Sequence, residues 1–385
     1  MPFRREKSRT KKRPLFRRAV LKPVNSHVYY PQPMNERKTT PASPFWTRLC
    51  QRAIRFLPIA VVLLAPGCCS HFRCANERAV RPLPPEVAKQ FSRPALPEAT
   101  LSEAGLEISE HYLLSRFELA AITNGSCTNR TLVLDCFLPH GRSNSPVIVI
   151  LPMLGGTYPL EKFFARYFAR HGFASVLVHR EDYENTPTSA PELNNLFRQC
   201  VLDNKRAIDW METRPEFDTS RLGVFGVSMG AIKGALLTPL DPRIDASVLA
   251  MPGGDLPYIL TYTTERGIAR RRGEVMKNRQ LTPEALRAEL QQGMTCDPIL
   301  FAQYVDPSKV LLVLAAMDST VPIKKGLELR AKMGKPQTIV VASGHYTAAL
   351  YLPYLRYRTV RFFKHRFEES GPAPSAASPV AKRAR

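Results

Sequence analysis

Metal-binding cysteine spacing is missing from this chain. Of its eight cysteines (Cys50, Cys68, Cys69, Cys74, Cys127, Cys136, Cys200 and Cys296), none forms a Cys-x-x-Cys pair, so no metal is expected from them. Zinc-finger spacing, a helix-turn-helix pattern, an aromatic-interleaved basic stretch and internal repeats are absent too. Acidic residues are scarce: 33 Asp and Glu stand against 55 Lys and Arg, a formal charge of +22. Spread over a folded surface, that excess would suit a polyanion. It is concentrated instead, since residues 1–55 carry 15 Lys/Arg and 2 Glu, a net of +13. Basic blocks poor in core-forming residues are solvated tails or targeting segments, and no nucleic-acid partner is expected.

A full membrane span is also lacking outside the globular part. The apolar run at residues 56–67, Phe56 to Gly67, is about a dozen residues long, where a spanning helix needs about 20. Arg48, Arg52 and Arg55 precede it, and Ala65, Pro66, Gly67, Cys68 and Cys69 follow. A positive flank, a short apolar core and a small-residue exit form the layout of a secretory signal. The exit resembles the lipobox of bacterial lipoproteins, in which the cysteine becomes the lipidated first residue. It departs from that pattern at Ala65, where Leu is preferred, and at Pro66. An uncleaved signal anchor is the alternative, and Met34 is an alternative start to Met1. Either way an exported, membrane-anchored envelope protein is expected. Residues 1–69 are thus a leader, 70–106 a proline-rich linker that hugs or precedes the domain, and 370–385 a disordered Pro/Ala/Ser-rich tail. If the chain is exported, Cys127 and Cys136 are candidates for a bridge across two early strands. Cys200 and Cys296 read as small buried apolar side chains.

What is present between residues 107 and 369 is an alternation of apolar strands and amphipathic helices. Glu107–Ala121 and Arg130–Leu138 flank Asn124-Gly125, a turn signal, and read as an antiparallel edge pair. Short, continuously apolar runs at Pro146–Leu154, Phe173–Val178, Leu222–Phe225, Asp245–Met251, Val310–Ala316 and Gln337–Ala342 read as buried strands. Helical spacing separates them: Leu160, Phe163, Phe164, Tyr167 and Phe168; Leu193–Thr213 with Trp210 inward; Val321–Met333; and Thr347–Glu369. The pattern predicts a mostly parallel central sheet with helices on both faces. Residues 252–307 are too long for a plain crossover. They read as a helical lid insertion over the carboxyl ends of the strands, or as a surface excursion. Tyr258, Tyr262 and the Arg270–Arg272 cluster within them hint at an anionic or polar substrate.

The chemistry centres on Gly226-Val227-Ser228-Met229-Gly230, between a strand and a small-residue helix. A serine on so sharp a turn needs small flanking residues and is presented near the helix N-terminus. A reactive serine also needs a base, a carboxylate to orient that base, and donors for the oxyanion. Asp318 directly follows the Val310–Ala316 run and His345 follows the Gln337–Ala342 run, so all three groups stand at strand ends, where open parallel sheets hold their sites. Asp255, after Gly253-Gly254, is a less favoured acid. His179 either lines the pocket or serves a loop, the loop role being preferred. His111 and His140 carry no assigned role, and Cys200, inside a helix, is not expected to be a nucleophile.

In these motifs and their order the sequence resembles the α/β-hydrolase fold family, in its serine esterase, dienelactone-hydrolase-like branch. The resemblance covers roughly residues 107–369. It implies that Ser228 attacks an acyl carbon, that His345 shuttles the proton and that Asp318 holds the imidazole. The oxyanion donors it implies are the backbone N–H of Met229 and one from the turn after the Val147–Leu151 run. The family's common His-Gly motif is replaced there by Pro152-Met153-Leu154-Gly155-Gly156, so Leu154 is chosen, with Met153 close behind. The expectation is a carboxylic ester hydrolase working on a small-molecule ester without cofactor. The alternatives are an amide or peptide hydrolase, an acyltransferase, or a non-catalytic envelope protein that reuses the fold.

Overall fold

The computed structural model describes residues 69–75, 79–92, 100–123, 126–154, 157–179 and 189–370. The leader, its apolar segment, the Asn124-Gly125 turn, most of the 181–191 polar loop and the 371–385 tail lie outside the described residues.

Among the described residues ten strands form one sheet, in the order β1-β10-β9-β8-β7-β5-β6-β4-β3-β2. The central strands are β5 (Ser145–Leu151), β6 (Ala174–Val178), β7 (Phe217–Val227), β8 (Ile244–Ala250), β9 (Val310–Ala315) and β10 (Gln337–Val341). All of their mutual pairings are parallel. Their apolar runs have no alternation because helices cover both faces. Val147, Ile148, Val149, Ile150 and Leu151 are all fully buried. At one edge β4 (Ser126–Pro139), β3 (Tyr112–Thr123) and β2 (Thr100–Ile108) continue the sheet antiparallel. At the other, β1 (Cys69–Phe72) pairs antiparallel with β10.

On one face α2 (Pro159–Arg170) and α10 (Leu352–Ser370) cover Ile148, Ile150, Phe225 and Val313. On the other, α3 (Ala190–Glu212) and α4 (Met229–Leu240) bury Val149, Val224 and Trp210 in a second apolar cluster. Proline-rich residues 70–106 hold more structure than a linker. They contribute β1, the short helix α1 (Pro85–Gln90), Phe91 packed in the core at 1% exposure, and most of β2. The segment therefore hugs the domain.

A bridge between Cys127 and Cys136 does not form. Both belong to β4, nine positions apart on one extended strand, hence about 30 Å apart, while a disulfide needs Cα atoms within about 7 Å. Cys136 is a buried free thiol, and burial pushes its pKa well up. The 252–307 insertion holds four short helices, α5 (Leu256–Tyr262), α6 (Arg266–Arg279), α7 (Pro283–Gly293) and α8 (Pro298–Phe301), and α9 (Ile323–Lys332) follows β9. Among the described residues no helix is long and apolar enough to cross a membrane.

Candidate active site

Ser228 sits between β7 and α4 with φ 54 and ψ −117, a strained conformation for a residue with a side chain. Two bonds hold the turn: its N–H donates to Ala250 O at 2.8 Å, and its carbonyl accepts from Ile232 N at 3.0 Å. The flanking glycines are required by close approach. A Cβ on Gly226 would lie 2.3 Å from Gly230 O, and one on Gly230 would lie 2.1 Å from Leu151 O. No side chain fits at either position, which is the physical content of the Gly-x-Ser-x-Gly spacing.

The acid and base come from turns on the two following parallel strands. After β9, Asp318 Oδ1 accepts the N–H groups of Thr320 and Val321, each at 2.9 Å. Its other oxygen, Oδ2, is 2.7 Å from His345 Nδ1. After β10, the His345 ring reaches back so that Nε2 is 2.9 Å from Ser228 Oγ. The side chains of Asp318 and His345 are 2% and 8% exposed. The structure thus brings Ser228, His345 and Asp318 into one hydrogen-bonded series across 117 residues of chain.

The turn after β5 faces this series. Met153 N–H donates to Glu161 Oε1 at 2.8 Å, so it is already engaged. Leu154 lines the cavity beside Ser228. The Met229 amide opens helix α4 and so has no intrahelical acceptor. Glu161 was not singled out in the sequence. It is 5% exposed, and its second oxygen is buried without a partner.

Ser228 and His345 open onto a cavity of about 400 Å³. Its wall is apolar, with Leu160, Phe164, Phe225, Val248, Val313 and Leu355 between the sheet, α2 and α10. Glu265, at the start of α6, stands in the wall and spends its carboxylate on capping that helix through Ile268 N at 2.7 Å. The insertion thus borders the site. Thr263 Oγ1 also donates to Thr320 O at 2.7 Å, tying it to the Asp318 turn.

The residues that hinted at an anionic or polar substrate are engaged away from the cavity. Arg272 donates to the carbonyls of Leu260 and Thr263, and Arg270 and Arg271 pair with Glu274. Tyr258 lies under Lys325 and Arg287. None of these lines the cavity; the basic residues organise the insertion's own helices. Asp255 is engaged by Lys325 at 2.7 Å and Arg287 at 3.7 Å and plays no part in the series. His179 packs at a tilt against the Tyr158 ring and lies 3.0 Å from Asp135 Oδ2, a structural role. Burial drives Asp135 upward, but His179 and Arg116 outweigh it and hold its carboxyl well below the usual range. Cys200 sits inside α3, and burial raises its thiol's pKa, which disfavours the thiolate. Among the described residues no group of three His, Cys, Asp or Glu side chains could hold a metal ion.

An acetyl xylan esterase from Thermoanaerobacterium sp. JW/SL YS485 superposes with a TM-score of 0.54 at 16% identity, over 73% of this chain and 96% of that one. Another, from Paenibacillus sp. R4, gives 0.54 at 17% identity over 73% and 92%. This is the α/β-hydrolase fold. Within it, residues 135–272 match the dienelactone hydrolase family. That stretch of the α/β-hydrolase chain holds Ser228 and ends before Asp318 and His345. A thiohydrolase, apmlB from Arthrinium phaeospermum, is 28% identical over 133 residues, 33% of this chain and 41% of that one. The chain therefore spans less than half the length of that curated relative.

Proposed function

We propose that the protein is a serine hydrolase that cleaves a carboxylic ester through an acyl-enzyme on Ser228. The carrying observation is the unbroken series Ser228 Oγ, His345 Nε2, His345 Nδ1, Asp318 Oδ2, with steps of 2.9 and 2.7 Å, opening on an apolar cavity. The fold shared with esterases and the dienelactone hydrolase match support it. Ser228 Oγ attacks the acyl carbon while its proton passes to His345 Nε2. The Asp318 carboxylate, fixed by two backbone amides, holds the ring with Nδ1–H toward itself and stabilises the imidazolium. Charge growing on the carbonyl oxygen faces the amides of Met229 and Leu154, each such donor being worth about 3 kcal/mol of barrier. Collapse breaks the ester C–O bond, and His345 hands its proton to the leaving alcohol. Water then repeats the sequence on the acyl-enzyme, releasing the acid and restoring Ser228.

The test is turnover of p-nitrophenyl acetate by the wild-type chain and by Ser228→Ala. Loss of at least roughly 10³-fold is expected; undiminished turnover would retire Ser228. Thioester cleavage is a second reading, favoured by the thiohydrolase similarity. A thioester passes through the same acyl-enzyme, and thiol release from an acyl thioester under identical conditions separates the two. Export and membrane anchoring through the leader are also proposed. Fractionation of cells making the full chain, against one with Cys68 and Cys69 changed to Ala, tests lipid anchoring: release of the variant is expected, and unchanged distribution contradicts it.

A further inference from the structure

The residues that line the cavity beside Ser228 grade from exposed to buried. Its mouth carries exposed groups, Leu154 at 39% and Tyr346 at 70%. Its far wall is closed by Phe164, Phe225, Val248, Val313 and Leu355, all buried. An apolar cavity of about 150 Å³ already takes a benzene ring, and this one, at about 400 Å³, lies within the range of small-ligand sites.

The two halves of an ester leave an acyl-enzyme site at different times. The alcohol departs first, while the acyl group is still bonded to Ser228. An alcohol lodged in a dead-end pocket would have to pass that acyl group to leave. An acyl chain can stay in the pocket until water releases it. We infer, on the basis of the hydrolase reading above, that the pocket takes the acyl part of the substrate, and that this part is an unbranched aliphatic chain of medium length (about six to ten carbons) rather than acetyl. The pocket presents no cation for a second carboxylate; its lining is mostly apolar, and besides Ser228 and His345 its polar members are Tyr346, Thr359 and Glu265, whose carboxylate caps α6. The alcohol half faces the mouth and is weakly selected.

Two ester series on the wild-type chain test this. In the first, p-nitrophenyl esters run from acetate to dodecanoate; in the second, acetates of lengthening alcohols are hydrolysed. Each buried methylene is worth a few-fold, so kcat/KM is expected to rise at least tenfold from acetate to hexanoate or octanoate. It should change less than about threefold along the alcohol series. Leu355→Phe shortens the pocket and should move the acyl optimum toward acetate, while Leu355→Ala should move it to longer chains. A flat or falling acyl series, or a rise that follows the alcohol, overturns the inference while leaving the hydrolase reading intact. Absence of turnover on every ester, together with failure of Ser228 to react with a fluorophosphonate, overturns both.

Discussion

Glu161, in the first turn of helix α2, accepts the backbone N–H of Met153 at 2.8 Å from a site that is 5% exposed. A carboxylate is thereby buried to fix the turn that carries Leu154. On the proposed mechanism Glu161 is a positioning residue, acting through the peptide it holds. Glu161→Ala should lower kcat by roughly tenfold, short of the loss of a whole oxyanion donor, with KM little changed. Glu161→Gln, which keeps an acceptor oxygen, should restore most of it. A parallel loss in both variants, or a change in KM alone, would assign Glu161 a merely structural part.

On the proposed mechanism Asp318, 2.7 Å from His345 Nδ1, orients that ring and stabilises its cation. Asp318→Asn keeps the size of the side chain but presents an amide to Nδ1 and favours the wrong tautomer. A loss of roughly 10³-fold or more in kcat for ester turnover is expected, measured beside a circular dichroism spectrum to show that the fold survives. Near-normal kcat would mean that Asp318 is not the orienting acid.

The elbow glycines give a prediction on stability. Gly230→Ala sets a methyl 2.1 Å from the Leu151 carbonyl oxygen, and Gly226→Ala sets one 2.3 Å from Gly230 O. Backbone must move in both cases, at a cost of about 3 kcal/mol. Denaturant unfolding should show it, whereas Gly273→Ala, with open space at that position, should unfold at least as late as the wild type.

Asp297 supplies one test of pH dependence. Its carboxylate accepts the amides of Leu256, Ile299 and Asp255 at 2.6, 3.0 and 3.1 Å, holding the ends of the insertion together. Burial pushes its pKa up to about 6 despite those amides, and Asp255 adds to the rise. An unfolded Asp titrates near 4, so between about pH 4 and 6 the folded chain binds the extra proton. This contribution is fully present below about pH 4 and lost as pH rises through about 6. Unfolding free energies of wild type minus Asp297→Asn should therefore fall by about 2 kcal/mol from pH 4 to 7. A difference that is flat or rises over that window would contradict the assignment.

Much of the fold could be read from the chain, because the central strands are buried on both faces and announce themselves as unbroken apolar runs. Ser228, Asp318 and His345 were legible for the same reason, each standing where such a run ends. Other features were hidden by physics that sequence does not display. β1 is Cys-Ser-His-Phe, a polar edge strand held by pairing with β10 rather than by a hydrophobic pattern, and β2 is largely exposed. Cys127 and Cys136 were expected on facing strands, but β4 runs unbroken through both. The cavity's apolar character was concealed because Phe164, Phe225 and Leu355 come from three distant elements. The Arg270–Arg272 run drew attention as charge, although Arg272 is spent on carbonyls of its own insertion. Glu161 gave no signal, since a Glu near a helix start is commonplace on a surface.

Whether Ser228 is an activated nucleophile is decided by reaction of the chain with a fluorophosphonate, followed by mass spectrometry of the modified peptide. Only a serine made nucleophilic by its neighbours reacts at a useful rate. A single adduct on Ser228 is expected, formed at least a hundredfold more slowly in His345→Ala. An unmodified Ser228, or an adduct on it that forms equally fast without His345, would contradict it.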